Sequence, residues 1–120
     1  MPTGFVQRIK GKVSVQQIFY ANQDGMSAKV GGGQSGATVC SALISKFNNV
    51  ASPGDSAVLP PAQSGMCYEV INAGASSMNV FASSGQTMNA SLNGSVAVPA
   101  GKTGVFNCVT PGTWNSVIGG

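Results

Sequence analysis

Histidine is absent from this chain, and acids number three: Asp24, Asp55 and Glu69. General acid–base catalysis draws mainly on His and carboxylates, so an enzyme working through such a pair has almost nothing to work with. Charged residues make up only 8% of the sequence, against roughly 25% in typical soluble domains, so the polar surface must be built from Ser, Asn, Gln, Thr and Gly. Leu occurs three times and Glu once, which removes two of the best helix formers. No run of about 20 apolar residues exists to span a membrane, and "MPTGFVQRIK" has no apolar stretch after its charges to act as an export signal. The expectation is a soluble protein made in a reducing compartment.

Val occurs 14 times, and 17 Gly and 6 Pro punctuate the chain. β-Branched Val suits a pleated, half-buried surface, so this composition points to an all-β domain of short strands and many turns. A chain of 120 residues is enough for one core and not for two. We divide it into an N-terminal arm with a first hairpin and Gly-rich connector (1–36) and a β-sandwich domain (37–120).

The connector "VGGGQSGATV" contains Gly31, Gly33 and Gly36 at the spacing G-x-G-x-x-G, and Gly31 and Gly36 have the outer spacing of a phosphate loop. A phosphate loop needs Lys after its last Gly, where this chain has Ala37. A dinucleotide fingerprint needs a buried strand before it and an acid about 20 residues on; Asp55 is near that distance but sits in the turn sequence "ASPGDS". A flexible Gly/Ser connector is the better reading.

Cys40, Cys67 and Cys108 form an odd set at wide spacings, without C-x-x-C and without His. This disfavours zinc and a complete disulfide framework, and no cofactor is expected. Buried, reduced thiols are expected for at least two of them, with Cys67 and Cys108 assigned to apolar strands. Asp24 and Asp55 are expected to bond turn backbone, and Glu69 to face solvent or pair with Lys102. The lone Trp114 reads as core, the alternative being a platform for stacking sugar.

Along the chain, "KVSVQQIFY" (12–20) alternates through Val13 and Val15 and reads as a strand. Asp24-Gly25 reads as a tight hairpin turn. In 38–50, Val39, Leu43, Phe47 and Val50 would line a helix face, whereas the Ser, Thr and Asn content favours extended chain; we adopt the extended reading. Then "SAVLP", "MCYEVIN", "MNVFA", "QTMNASL", "SVAVP", "TGVFNCV" and "TWNSVI" are short apolar pieces separated by Gly or Pro turns, the pattern of a sandwich or barrel.

Five of the six basic residues lie in the first 50 positions, and Arg8, Lys10 and Lys12 alternate, sharing one face of an extended segment. Three charges without interleaved aromatics are too few for nucleic acid. They read either as a solvated arm or as an arm lying on an acidic protein partner.

From Leu59 onward, the features Leu59-Pro60, Gly65, "VINAGASSMNVF", the "SGQTMN" turn, "VFNCV" and Gly112-Thr113-Trp114 resemble a domain recurrent in tailed-bacteriophage structural proteins. Where the related pattern often has Ile-Asn-Gly, this chain has Met88-Asn89-Ala90, which loosens that turn. The resemblance covers about the last half of the chain and leaves the first 36 residues unexplained. It implies a virion component without catalysis, most like a capsid decoration or cement protein. The fold it implies is a single jelly-roll-like antiparallel β-sandwich with an extended N-terminal arm, and the assembly a homotrimer on the capsid surface, made in the host cytoplasm. The implied partners are the major capsid protein and further copies of this chain, with no nucleic acid and no membrane. The docking residues we assign are Phe5, Arg8, Lys10, Lys12, Phe19 and Tyr20. The alternative is a tail-fibre or head-fibre module that recognises host carbohydrate through Trp114 or Tyr68. An enzyme using Cys40, Cys67 or Cys108 is a remote third reading.

Overall fold

The computed structural model describes residues 22–120, so the arm and the expected strand over 12–20 lie outside the described residues. Alternation of apolar and polar side chains produces strands throughout. In β5 (Cys67–Asn72), Tyr68, Val70 and Asn72 face the core while Cys67, Glu69 and Ile71 face outward. The other strands are β1 (Asn22–Ser27), β2 (Thr38–Val39), β3 (Ile44–Asn49), β4 (Asp55–Val58), β6 (Met78–Phe81), β7 (Thr87–Met88), β8 (Ser91–Leu92), β9 (Ser95–Val98), β10 (Thr103–Asn107) and β11 (Thr113–Gly119). No helix is present among the described residues, and all seven apolar pieces from "SAVLP" onward contain strand. The segment 38–50 is extended, as β2 and β3, so the helical alternative for it falls.

Two sheets form, one of seven strands in the order β1-β3-β5-β10-β11-β7-β8 and one of four in the order β2-β4-β6-β9. The first six strands alternate between them, so the chain winds like a solenoid and adds one strand to each sheet per turn. Here the antiparallel expectation needs correction. Five ladders are parallel, joining β1 to β3, β3 to β5, β2 to β4, β4 to β6 and β7 to β11. The links 40–43, 50–54, 59–66 and 73–77 cross to the other sheet instead of turning back beside the strand they leave, so each sheet receives its next strand in the same direction. Antiparallel ladders are confined to the C-terminal part, β6 with β9, β5 with β10, β10 with β11, and β7 with β8, while a single antiparallel bridge joins Lys29 to Ser56. A jelly roll requires antiparallel connections throughout, and β1 to β6 do not supply them.

The expected hairpin at Asp24-Gly25 is also corrected. Both residues lie inside β1, at a register irregularity between Gln23 and Met26. The turn chemistry is used for a bulge: Gly25 has φ +72°, and its amide donates to Asp24 Oδ1 (2.7 Å) and Asn48 Oδ1 (3.0 Å). "QTMNASL" forms two short strands, β7 and β8, because Asn89 and Ala90 take φ of +49° and +71° and reverse the chain between them.

One core lies between the sheets, with Trp114, Phe47, Phe106, Leu59, Met78 and Met88 its largest fully buried side chains. Asn72 is also completely buried, and all its side-chain bonding capacity on the amide nitrogen is directed to carbonyls, of Ser76 and Val98, each at 2.8 Å.

Candidate functional site

The six assigned docking residues, Phe5, Arg8, Lys10, Lys12, Phe19 and Tyr20, all lie outside the described residues. Several of the chemistry-bearing groups that are described are engaged in structure. In the Gly-rich loop, the Gly31 amide donates to Asp55 Oδ1 (3.3 Å) and the Gly32 amide to the Lys29 carbonyl (3.3 Å). Lys29 Nζ donates to the Gly32 carbonyl (2.8 Å) and Ser56 Oγ to the Gly33 carbonyl (2.7 Å). A phosphate cradle needs free amides; here two are taken, one by a carboxylate that would repel phosphate. The connector packs against β4 rather than holding a nucleotide.

Asp55 is buried at the start of β4 and accepts from the amides of Gly31 and Ser52 (3.2 Å), while Asp24 accepts from Gly25. Both acids bond backbone as expected, but from strands rather than turns: Asp24 lies inside β1 and Asp55 is the first residue of β4. Among the described residues no group of three His, Cys, Asp or Glu side chains converges to hold a metal ion.

Trp114 is fully buried, with Nε1–H donating to the Pro60 carbonyl (3.3 Å) and its ring 5.7 Å from that of Tyr68 in an edge-to-face contact. Tyr68 is buried too, so neither ring offers a face to a sugar. The stacking role considered for these two residues is thereby overturned: inward-facing positions of β5 and β11 point them into the core.

All three cysteines are free. Cys40 is buried, and burial pushes its thiol up to about 12, with a hydrogen bond from Ser45 acting in the opposite direction. Cys108 is buried and its thiol lies 3.2 Å from the Thr110 carbonyl. Cys67, expected in the core, is exposed instead, since as the first residue of β5 it takes the outward phase of the strand. A thiol held protonated is a poor nucleophile, which leaves Cys40 without catalytic promise.

What the structure does assemble is surface. On the outer face of the larger sheet, register places Ile44, Glu69, Val105 and Val117 in one row across β3, β5, β10 and β11. Ile44 is 39% exposed and Val117 66%. Beside this row, Asn22, Asp24, Ile44, Lys46 and Ile71 border a shallow depression of about 290 Å³. On the outer face of the smaller sheet, Val39, Val58 and Phe81 align across β2, β4 and β6. Leu92 and Val109 add further exposed apolar side chains at the β7–β8 hairpin and after β10. Sequence reading missed these rows because each member comes from a different strand; the only signal was a second, outward apolar phase in strands such as "CYEVIN". Comparison of the chain with protein-family models, with characterised proteins and with solved structures found no match.

Proposed function

We propose that this protein is a structural component of a phage particle, a capsid decoration (cement) protein that binds the outer surface of the major capsid protein shell and stabilises the head. The observation that carries this reading is the pair of sparsely charged, partly apolar outer faces. Ile44, Val105 and Val117 lie on one, Val39, Val58 and Phe81 on the other, and Glu69, Lys46 and Asp24 are charges beside the first. Depletion of charge around apolar side chains is what the cores of protein interfaces require. The resemblance from Leu59 onward to tailed-phage structural domains points the same way.

The mechanism is adhesive. Copies of the chain join as a homotrimer, and closed symmetry sets several basic arms on the capsid at once, so that a modest contact per arm sums through effective concentration. In this reading the jelly-roll sandwich is relaxed to a two-sheet β stack, and the arm residues Phe5, Arg8, Lys10, Lys12, Phe19 and Tyr20 make the capsid contact. The carbohydrate-recognition alternative loses its stacking groups with the burial of Trp114 and Tyr68.

The test compares the full chain with a chain lacking residues 1–12 for occupancy on shells of the phage's major capsid protein. Loss of binding by the shortened chain, with its circular dichroism unchanged, supports the arm as the docking segment; undiminished occupancy refutes it. Light scattering on the free protein should give about 36 kDa, three times 12.0 kDa, if the trimer forms before docking.

A further inference from the structure

Four strands end the two sheets, β1 and β8 the larger, β2 and β9 the smaller. A terminal strand presents unpaired amides and carbonyls to any further strand, and folds blunt such edges by shortness, by charge or by a bulge. β2 and β8 are two residues each, and β1 carries Asp24 and the bulge at Gly25. β9 has none of these devices. It runs four residues in unbroken register with β6, and no charged residue occurs between Glu69 and Lys102.

The ladder fixes which groups of β9 face outward. The Ala82 amide donates to the Gly94 carbonyl (3.0 Å), and this pair continues the ladder of Val80 with Val96 and Met78 with Val98. Hydrogen-bonded pairs alternate with non-hydrogen-bonded ones along an antiparallel ladder, so Phe81–Ser95 and Asn79–Ala97 belong to the second kind. The N–H and C=O of Ser95 and Ala97 therefore point away from β6, to the side where no described strand pairs with β9. Both side chains are small and exposed, which leaves that approach clear.

The larger sheet overhangs the same edge. A Cβ on Gly104 of β10 would stand 3.2 Å from Val98 Cγ2, so β10 lies across from β9. Ile118, the register partner of Gly104 on β11, is one strand further out. It shares the inward phase of β11 with Trp114 but is only partly buried. Val96 is partly buried as well, although its partner Val80 and its same-face neighbour Val98 are fully buried. One more strand beside β9 would cover both Ile118 and Val96.

We infer that the open edge of β9 is an interface for β9 of a second copy of this chain, the two strands pairing antiparallel about a twofold axis at Val96. The register is self-complementary. Ser95 of each copy meets Ala97 of the other, each pair exchanging both its main-chain bonds, and the two Val96 side chains lie directly opposite in a non-hydrogen-bonded pair. A twofold contact sets every charge near its own like, so an edge without charge suits a second copy of this chain. The inference does not rest on the capsid reading.

The experiment combines residue-resolved amide hydrogen exchange with light scattering on the full chain, Ala97→Pro and Ala97→Lys. Proline removes the donor aimed at the open edge and no bond of the β6 ladder, and lysine brings like charges together beside the twofold axis. The Ser95 amide should be protected in the full chain and exchange on the order of 100-fold faster in both variants, with Val70 unchanged as the reporter of an intact fold. The mass should halve in both variants, whether the free protein is a simple pair or a pair of trimers. Fast exchange of Ser95 in the full chain would overturn the inference. So would protection of Ser95 with a mass that neither variant lowers, since that assigns the edge to another segment of the same chain. A trimer mass unchanged by either variant overturns it too, while leaving the capsid reading standing. If Ala97→Pro fails to fold, the full chain and Ala97→Lys still decide the matter.

Discussion

The side-chain amide of Asn72 donates to the main-chain carbonyl of Val98 at 2.8 Å, and so ties β5 of the larger sheet to β9 of the smaller one through the core. A second bond from the same nitrogen reaches the Ser76 carbonyl, and Asn72 Oδ1 accepts from the Gly74 amide (2.9 Å). Asn72→Asp keeps the shape but replaces the donor by a carboxylate facing two carbonyls. A loss of about 3 kcal/mol or more is expected, measured by urea unfolding at neutral pH, with a partial recovery in acid as the carboxyl is protonated.

Ala90 occupies φ +71° in the β7–β8 turn, a conformation that costs an L-residue about 1–2 kcal/mol. Glycine has no such cost, though it loses more chain entropy on folding, so Ala90→Gly should stabilise the protein by about 0.5–1 kcal/mol, read as a rise in Tm. Asn93→Gly, at φ +53°, should gain nothing, because Asn93 Oδ1 accepts from the Gly85 amide (2.7 Å) and that bond would be lost.

The Gly-rich loop offers a test of which glycine matters. Gly31, Gly33 and Gly36 carry the nucleotide-like spacing, yet it is Gly32 that the fold cannot replace: a Cβ there would stand 2.5 Å from the Gly54 carbonyl oxygen. Gly33 has open space and only its φ of +86° to resist a side chain. Gly32→Ala should therefore cost more than about 3 kcal/mol and Gly33→Ala about 1 kcal/mol, compared by denaturant midpoint.

Thiol chemistry should separate the cysteines and set a pH limit. Cys67 is exposed and should be alkylated in the native protein, while Cys40 and Cys108 should react only on unfolding. Burial raises the Cys40 thiol from 9.0 to about 12, so above pH 9 the unfolded chain gives up a proton that the folded chain retains. That contribution to stability is complete below pH 9 and declines by about 1.4 kcal/mol per unit as pH rises toward 12. Replacing Cys40 by Ala should flatten the alkaline limb of the stability profile.

Much of this architecture was legible from local pattern. Val-rich alternation and Gly or Pro turns marked the strands from "SAVLP" to "TWNSVI", and the isolated acids Asp24 and Asp55 pointed to the backbone bonds they make. The winding was not legible. Twenty-two residues separate Asn22 from its partner Ile44, 25 separate Ile44 from Glu69, and only 19 separate Val39 from Val58, so no fixed period appears in the sequence.

The chain's own residues determined that the described part would be all-β and that the protein is poor in charge, because side-chain alternation and residue type act locally. Only the tertiary structure decided which strands are neighbours, whether they run parallel, that Trp114 and Tyr68 face each other inside the core, and that Ile44, Val105 and Val117 share one outer face. Those relationships depend on where each link crosses between sheets, and a link's path is set by packing against residues distant in the chain.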